Sequence, residues 1–200
     1  HRKKIVDKGF NSDILSMTAT PIPRTLAITI HGDMDISIIK ESPKNRASIK
    51  TKVIDTSRLS RTYQFMIKEM KQNNQCFIVY PIIEESEKLD LKAAKTAYDD
   101  LKNNIFKDFN MSYIDGRMKK DVRDIEMNKF LNKESQCLVS TTVIEVGIDI
   151  PNATVMVIEN ADRFGLSQLH QLRGRIGRGD KPGFCFLVKS KDDTTKRLKI

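Results

Sequence analysis

The chain has 200 residues, of which 39% are hydrophobic and 30% are charged, with a formal net charge of +9 and an isoelectric point near 9.4. This size and composition predict one α/β domain, or one domain with a fragment of another. The positive charge favours a polyanionic partner. No apolar run of about 18 residues is present, which excludes a membrane-spanning helix. The basic start leads into no apolar segment, so we expect no secretory signal, a cytoplasmic location and a piece of a longer chain.

The first part of the chain predicts a strand, then a helix. The pattern of residues 14–20 is typical of a β-strand, and Thr20 followed by Pro21 is typical of a helix start. Thr18, Thr20 and Arg24 therefore lie where a strand passes into its helix. That position would face a ligand held by a neighbouring domain, which indicates a role in linking domains.

A polar segment broken by proline separates this part from the rest. Residues 35–40 are a second extended run, and the segment that follows is typical of a linker. We predict the tail of one domain over 1–42, a linker at 43–49 and a second domain over 50–200.

The second domain alternates apolar strands with helical patterns, which predicts a parallel sheet with helices on both faces. Its strands are predicted at 50–55, 76–83, 110–114, 136–141, 154–159 and 183–188. Its helices are predicted at 58–73, 90–104, 119–132 and 166–177. Three widely spaced cysteines, Cys76, Cys137 and Cys185, lie in the apolar runs, so we expect buried free thiols in a reducing compartment.

Polar groups follow several of these strands, at the edge where parallel α/β sheets bind ligands. Thr141 and Thr142 could bond to phosphate oxygens, although Thr is also common in strands and helix caps. Gly147 could allow close approach of a ligand and Asp149 could accept from a ribose hydroxyl or pair with arginine, although an ordinary turn needs no function. Gly116-Arg117 ends another strand and precedes a helix, so backbone amides and the Arg117 guanidinium predict a phosphate-binding corner, with a turn and one solvated arginine as the alternative.

The segment Gln171-Leu-Arg-Gly-Arg-Ile-Gly-Arg178 has a basic pattern. On one helix, Gln171, Arg175 and Arg178 would lie within roughly 60° of one another, a stripe suited to gripping phosphates. Gly174 and Gly177 weaken a helix and suggest that something approaches the backbone. The alternative is a basic surface helix. His170 in the same segment could contact DNA or nucleotide, or be packed.

Two absences limit the chemistry of the chain. No glycine-rich loop ending in Lys-Ser or Lys-Thr is present, and no Asp-Glu pair follows an apolar strand. Phosphoryl transfer needs a phosphate cradle, Mg²⁺ ligands and a residue that orients water, so we expect no ATP hydrolysis by this chain alone. The three histidines show no zinc spacing, and we predict no metal site.

Long motifs in the chain resemble those of superfamily 2 helicases. Thr142-Val-Ile-Glu-Val-Gly147 and the segment 171–178 resemble motifs V and VI, and Met17-Thr-Ala-Thr-Pro-Ile-Pro-Arg-Thr-Leu-Ala27 is similar to motif III of the branch that holds RecG and the transcription-repair coupling factor. Residues 77–90 and 157–170 are similar to the RecG type. The resemblance implies a RecA-like second motor domain, preceded by the tail of the first.

The resemblance also implies an activity and its partners. RecG-type enzymes are ATP-dependent DNA translocases that remodel stalled replication forks and branched recombination intermediates. ATP and Mg²⁺ would be bound mainly by a first motor domain, which with a wedge domain should precede this chain.

Roles for individual residues follow by motif match. Arg175 and Arg178 would be arginine-finger candidates, and Gln171 would couple nucleotide state to movement. Gly147 and Asp149 would line the nucleotide cleft. The DNA-binding residues would include Thr141 and Thr142, and domain coupling would fall to Thr18 and Arg24.

Two other functions remain open at this stage. The first is a transcription-coupled translocase that acts on stalled RNA polymerase, although Glu145-Val-Gly147 departs from the Glu-Thr-Gly usual in that enzyme. The second is a non-catalytic nucleic-acid-binding module that uses its positive charge for phosphate contacts.

Overall fold

A computed structural model describes residues 37, 39, 48–82, 86–141 and 150–190. The chain divides into two compact units, His1–Lys40 and Glu41–Ile200, and the helices and strands described below all belong to the second. The predicted strand at 14–20, the helix after it and most of the predicted linker lie outside the described residues. The predicted domain boundaries stay a prediction.

Six strands and four α-helices alternate along the described part of the second unit. The strands are β1 (Ile49–Ile54), β2 (Gln75–Val79), β3 (Met111–Ile114), β4 (Cys137–Ser140), β5 (Ala153–Ile158) and β6 (Gly183–Val188). The helices are α1 (Leu59–Lys71), α2 (Glu87–Asp100), α3 (Lys120–Leu131) and α4 (Leu166–Arg173).

The strands form one sheet in the order β1-β6-β5-β2-β4-β3, and every neighbouring pair is parallel. The central strands β2 and β5 are buried along their whole length, as expected for near-continuous apolar runs covered on both faces. The predicted parallel α/β class is confirmed. Among the described residues, no helix is long and apolar enough to cross a bilayer.

Two apolar clusters cover the two faces of the sheet. One contains Met66 and Met70 of α1 with Ala94 and Tyr98 of α2. The other contains Phe130 of α3 and, from α4, Leu169 and Leu172. Helices α1 and α2 belong to connections that move across the sheet toward β3, and they lie on one face. Helices α3 and α4 belong to connections in the opposite direction and lie on the other face, as right-handed crossovers require.

Most predicted elements differ from the structure only at their ends. The largest strand difference is in β2, which ends at Val79 rather than at residue 83. Helix α2 begins at Glu87 rather than at residue 90, and a π-helical turn, Leu101–Ile105, follows its end. The three cysteines are buried and free, as predicted, and burial raises the pKa of each thiol.

Candidate functional site

The connections of the sheet change direction between β2 and β5, which marks the carboxyl edge there as a candidate site. These strands are neighbours, but the chain leaves β2 for α2 on one face and leaves β5 for α4 on the other. Such a switch in connection is where open parallel sheets bind ligands. Residues that directly follow β2, β4 and β5 therefore line the first part of the candidate site.

Thr141 follows β4 at this edge and is buried, with 4% of its surface exposed. Its amide donates a hydrogen bond of 3.1 Å to the carbonyl of Ile114, which holds the residue in line with β3. The hydroxyl Oγ1 is buried and has no hydrogen-bond partner within the described part of the chain. An unsatisfied buried hydroxyl costs about 1–3 kcal/mol, and a ligand that bonded to it would recover that cost.

Arg117 follows β3 and is fixed by two acidic residues. Its Nε donates to Glu87 of α2 at 2.8 Å, and this hydrogen bond lowers the pKa of the Glu87 carboxyl. The amides of Arg117 and Met118 donate to Asp115 at 2.8 and 3.0 Å. The expected corner of backbone amides is therefore occupied by the Asp115 carboxylate. A phosphate contact by the Arg117 guanidinium stays a prediction.

Glu159 is a residue of this edge that sequence reasoning missed. It directly follows β5, is 7% exposed and accepts a hydrogen bond of 3.4 Å from the Tyr63 hydroxyl. Its removal from water raises its pKa to about 7. The same burial, with the Glu159 charge nearby, raises the pKa of Tyr63 and Tyr80. A charged residue directly after the apolar run Ala-Thr-Val-Met-Val-Ile was the available signal.

The predicted helix over 166–177 is wrong at its carboxyl end. Helix α4 ends at Arg173, and Gly174 is its C-cap. The Arg175 amide then donates to the Leu172 carbonyl at 2.9 Å, a bond between residues three apart rather than four. The helical stripe of Gln171, Arg175 and Arg178 is therefore not formed.

Gly177 explains why no helix continues through Arg178. Its φ of +62° is in the left-handed region, which favours glycine. Its amide donates to the carbonyl of Ala153 at 3.1 Å, and an added Cβ would lie 3.2 Å from the amide nitrogen of Gly183. The close approach predicted at this glycine is thus made by another segment of the same chain, the start of β6.

The arginines of this segment differ in environment. Arg175 is buried, with 9% of its surface exposed, whereas Arg178 is exposed and its Nε donates to the Gly174 carbonyl at 2.9 Å. Gln171 is half-buried. His170 is exposed, and its Nδ1 lies 3.3 Å from a terminal nitrogen of Arg173.

The structure therefore divides the candidate residues between the two edges of the sheet. Gly177 bonds to the first residue of β5 and packs against the first residue of β6, so Arg175 and Arg178 lie at the amino edge. Thr141 and Arg117 lie at the carboxyl edge, about 17–20 Å away for strands of five to six residues.

Other predicted site residues lie outside the described residues. They are Thr142, Gly147 and Asp149 in the segment between β4 and β5, and Thr18, Thr20 and Arg24 in the first unit.

Comparison with known proteins identifies the class. The model of the helicase conserved C-terminal domain matches residues 57–180, which include β2 to β5 and the arginine segment. The chain belongs to this family of helicase C-terminal domains. Domain 2 of the DEAD-box helicase Mss116p has the same fold, with a TM-score of 0.52 and 23% identity over 74% of this chain and 55% of that one.

Within that family, the chain is similar to the RecG helicases. It is 49% identical to the ATP-dependent DNA helicase RecG of Synechocystis sp. and to that of Bacillus subtilis, in each case over 100% of this chain and over 24% and 30% of the relative. A structure of RecG bound to a three-way DNA junction matches with a TM-score of 0.74 and 42% identity, over 90% of this chain and 23% of that one. The resemblance to RecG and the RecA-like fold are confirmed. The chain thus spans less than a third of the length of each of these curated relatives.

Proposed function

We propose that this chain forms the second RecA-like motor domain of an ATP-dependent DNA translocase that remodels stalled replication forks and branched recombination intermediates. The single observation that carries the proposal is the placement of the candidate residues. Thr141 lies at one edge of the sheet, and Arg175 and Arg178 lie at the other, so DNA and nucleotide would be bound at separate edges.

The DNA would be held at the carboxyl edge. Thr141 and Thr142 would bond to the sugar-phosphate backbone, where hydroxyl groups fix the position of a strand without reading its sequence. Arg117 would add a cation if a phosphate displaced Glu87 from its guanidinium. Support comes from the Oγ1 of Thr141, which has no hydrogen-bond partner among the described residues, and from the similarity to a RecG that was solved with a DNA junction.

The nucleotide would be contacted at the amino edge of the sheet. Arg178 fits a phosphate because its bond to the Gly174 carbonyl fixes the plane of the guanidinium while the residue stays exposed. Arg175, which is buried, would support this segment and reach the nucleotide when the motor domains close. Gln171, Gly147 and Asp149 would complete this part of the site.

Gln171 would couple the state of the bound nucleotide to movement along DNA. Thr18, Thr20 and Arg24 would pass a change in that state between the motor domains.

ATP and Mg²⁺ would be bound mainly by the first motor domain. Within the described ranges, no group of three or more His, Cys, Asp or Glu side chains could hold a metal ion. The share of the reaction assigned to this chain is the cation that stabilises the transferring phosphoryl group. We therefore expect no ATP hydrolysis by the chain alone.

The proposal is tested by ATP turnover in the native polypeptide that contains this chain, measured with forked DNA. Arg178→Ala should reduce turnover by about 10³–10⁵-fold, the range found for arginine fingers, and should spare most fork binding. Arg173→Ala is the matched control, because this arginine lies in the same segment but contacts His170. It should retain turnover.

Normal turnover by Arg178→Ala would refute the arginine-finger role. If that variant instead lost fork affinity in a salt-dependent way, the non-catalytic nucleic-acid-binding module would be the better interpretation. Stimulation by stalled RNA polymerase rather than by forked DNA would favour the transcription-coupled translocase.

A further inference from the structure

A row of cations lies on β1, away from both edges that carry the candidate site. Lys50 and Lys52 are exposed on this strand, which is at one side of the described sheet. In the parallel register they neighbour Phe184 and Phe186 of β6, so all four side chains point to the same face. The two lysines are about 6.8 Å apart along the strand, because residues i and i+2 are separated by two rises.

Helix α1 extends the same surface. Phe65 packs edge-to-face on Phe184 and Phe186, with ring centroids 4.9 and 5.9 Å apart, which brings this side of α1 toward β1. Arg61 and Lys68 are exposed and lie one turn before and one turn after Phe65 on the same helical face. We call Lys50, Lys52, Arg61 and Lys68 the β1 surface.

No carboxylate of the described residues forms a salt bridge with any of these four cations. Salt bridges are formed elsewhere, by Lys95, Arg117, Lys129 and Arg163. Glu69 follows Lys68 directly, but its carboxylate accepts hydrogen bonds of 2.8 Å from Asn74 and Thr154. Within the described ranges, the β1 surface therefore presents four cations without a carboxylate partner.

We propose that the β1 surface binds the phosphate backbone of duplex DNA and is a second DNA contact of this domain. Its charge is complementary to a polyanion, and the lysine spacing is about twice the 3.4 Å rise of each DNA strand. The rings beside it are packed against one another, so their faces are not free to stack on unpaired bases. Backbone contact with a duplex fits this surface better than recognition of a single strand.

This inference does not depend on the motor function, and its test involves no nucleotide. The affinity of the native polypeptide for a blunt duplex is measured by fluorescence anisotropy over roughly 0.05–0.2 M salt. Lys50→Gln/Lys52→Gln should lower affinity by at least about tenfold and reduce the slope of log K against log salt by about 2. Lys107→Gln/Lys133→Gln is the control with equal loss of charge, since both lysines are exposed and shortly precede the strands β3 and β4 on the opposite side of the sheet.

A second pair of variants separates phosphate contact from damage to the strand. Lys50→Arg/Lys52→Arg keeps the charge and should keep both the affinity and the slope. The proposal is overturned if the glutamine variant behaves like the control, or if the arginine variant loses as much affinity as the glutamine variant. Equal loss for a single strand of the same length would also overturn the assignment to duplex DNA.

Discussion

Replacing Glu159 by glutamine should make folding stability less dependent on pH. The side chain is 7% exposed, and burial raises its pKa from 4.5 to about 7. Glutamine has nearly the same shape and can still accept the hydrogen bond from Tyr63, but it does not ionise. The change therefore removes the titration with little effect on packing.

The direction in which stability changes with pH follows from the linkage between proton binding and folding. Because the folded chain holds this proton more tightly than the unfolded chain, the contribution to stability is full below a pH of about 4.5. It is lost as the pH rises from there through about 7. A pKa raised from 4.5 to about 7 corresponds to about 3 kcal/mol of unfolding free energy.

The assay is urea-induced unfolding of wild type and Glu159→Gln at about pH 5 and at about pH 8. The free energy of unfolding of the variant minus that of wild type should be about 2–3 kcal/mol larger at about pH 8 than at about pH 5. Glu134→Gln is the control, because Glu134 is exposed. Its difference from wild type should stay within about 0.5 kcal/mol at both values. Parallel pH profiles for wild type and Glu159→Gln would show that the carboxyl does not titrate in this range, and the reasoning from burial would fail.

Three further predictions concern packing. Gly177→Ala should lower the free energy of unfolding by at least about 1–2 kcal/mol, because φ is +62° and the new Cβ would press on the start of β6. Gly165→Ala is the control, because its backbone conformation is open to alanine, and it should cost about 0.5 kcal/mol or less. Urea unfolding measures both. Phe77→Ala should cost about 3–5 kcal/mol in the same assay, since the ring is 1% exposed, and an unchanged stability would contradict its place in the core. A thiol reagent should modify Cys137 only after unfolding, because the thiol is buried and its pKa is raised; fast labelling of the native chain would argue otherwise.

The parallel sheet could be predicted because its signals are local. β6 has the same ends as predicted, 183–188, since Pro182 directly precedes it and an apolar run continues to Val188. The central strands β2 and β5 read as continuous apolar runs because helices cover both of their faces. The buried cysteines followed from the same runs.

The end of α4 could not be read from periodicity alone. Polar residues continue at helical spacing through Arg178, yet Gly177 takes a left-handed conformation that depends on its fit against Gly183 and Ile49. Those residues are near neighbours in space but distant in sequence. Tertiary contact therefore decided where the helix stops.

The candidate site shows the same division between sequence and structure. The amino-acid sequence determined the fold class, the family and the residue types of each motif, because these depend on patterns within single segments. The tertiary structure decided that Thr141 and Arg178 lie at opposite edges of the sheet, since α4 runs back against the direction of the strands. It also decided that Glu159 is buried, because the strands and helix around it exclude the water that would otherwise keep its pKa low.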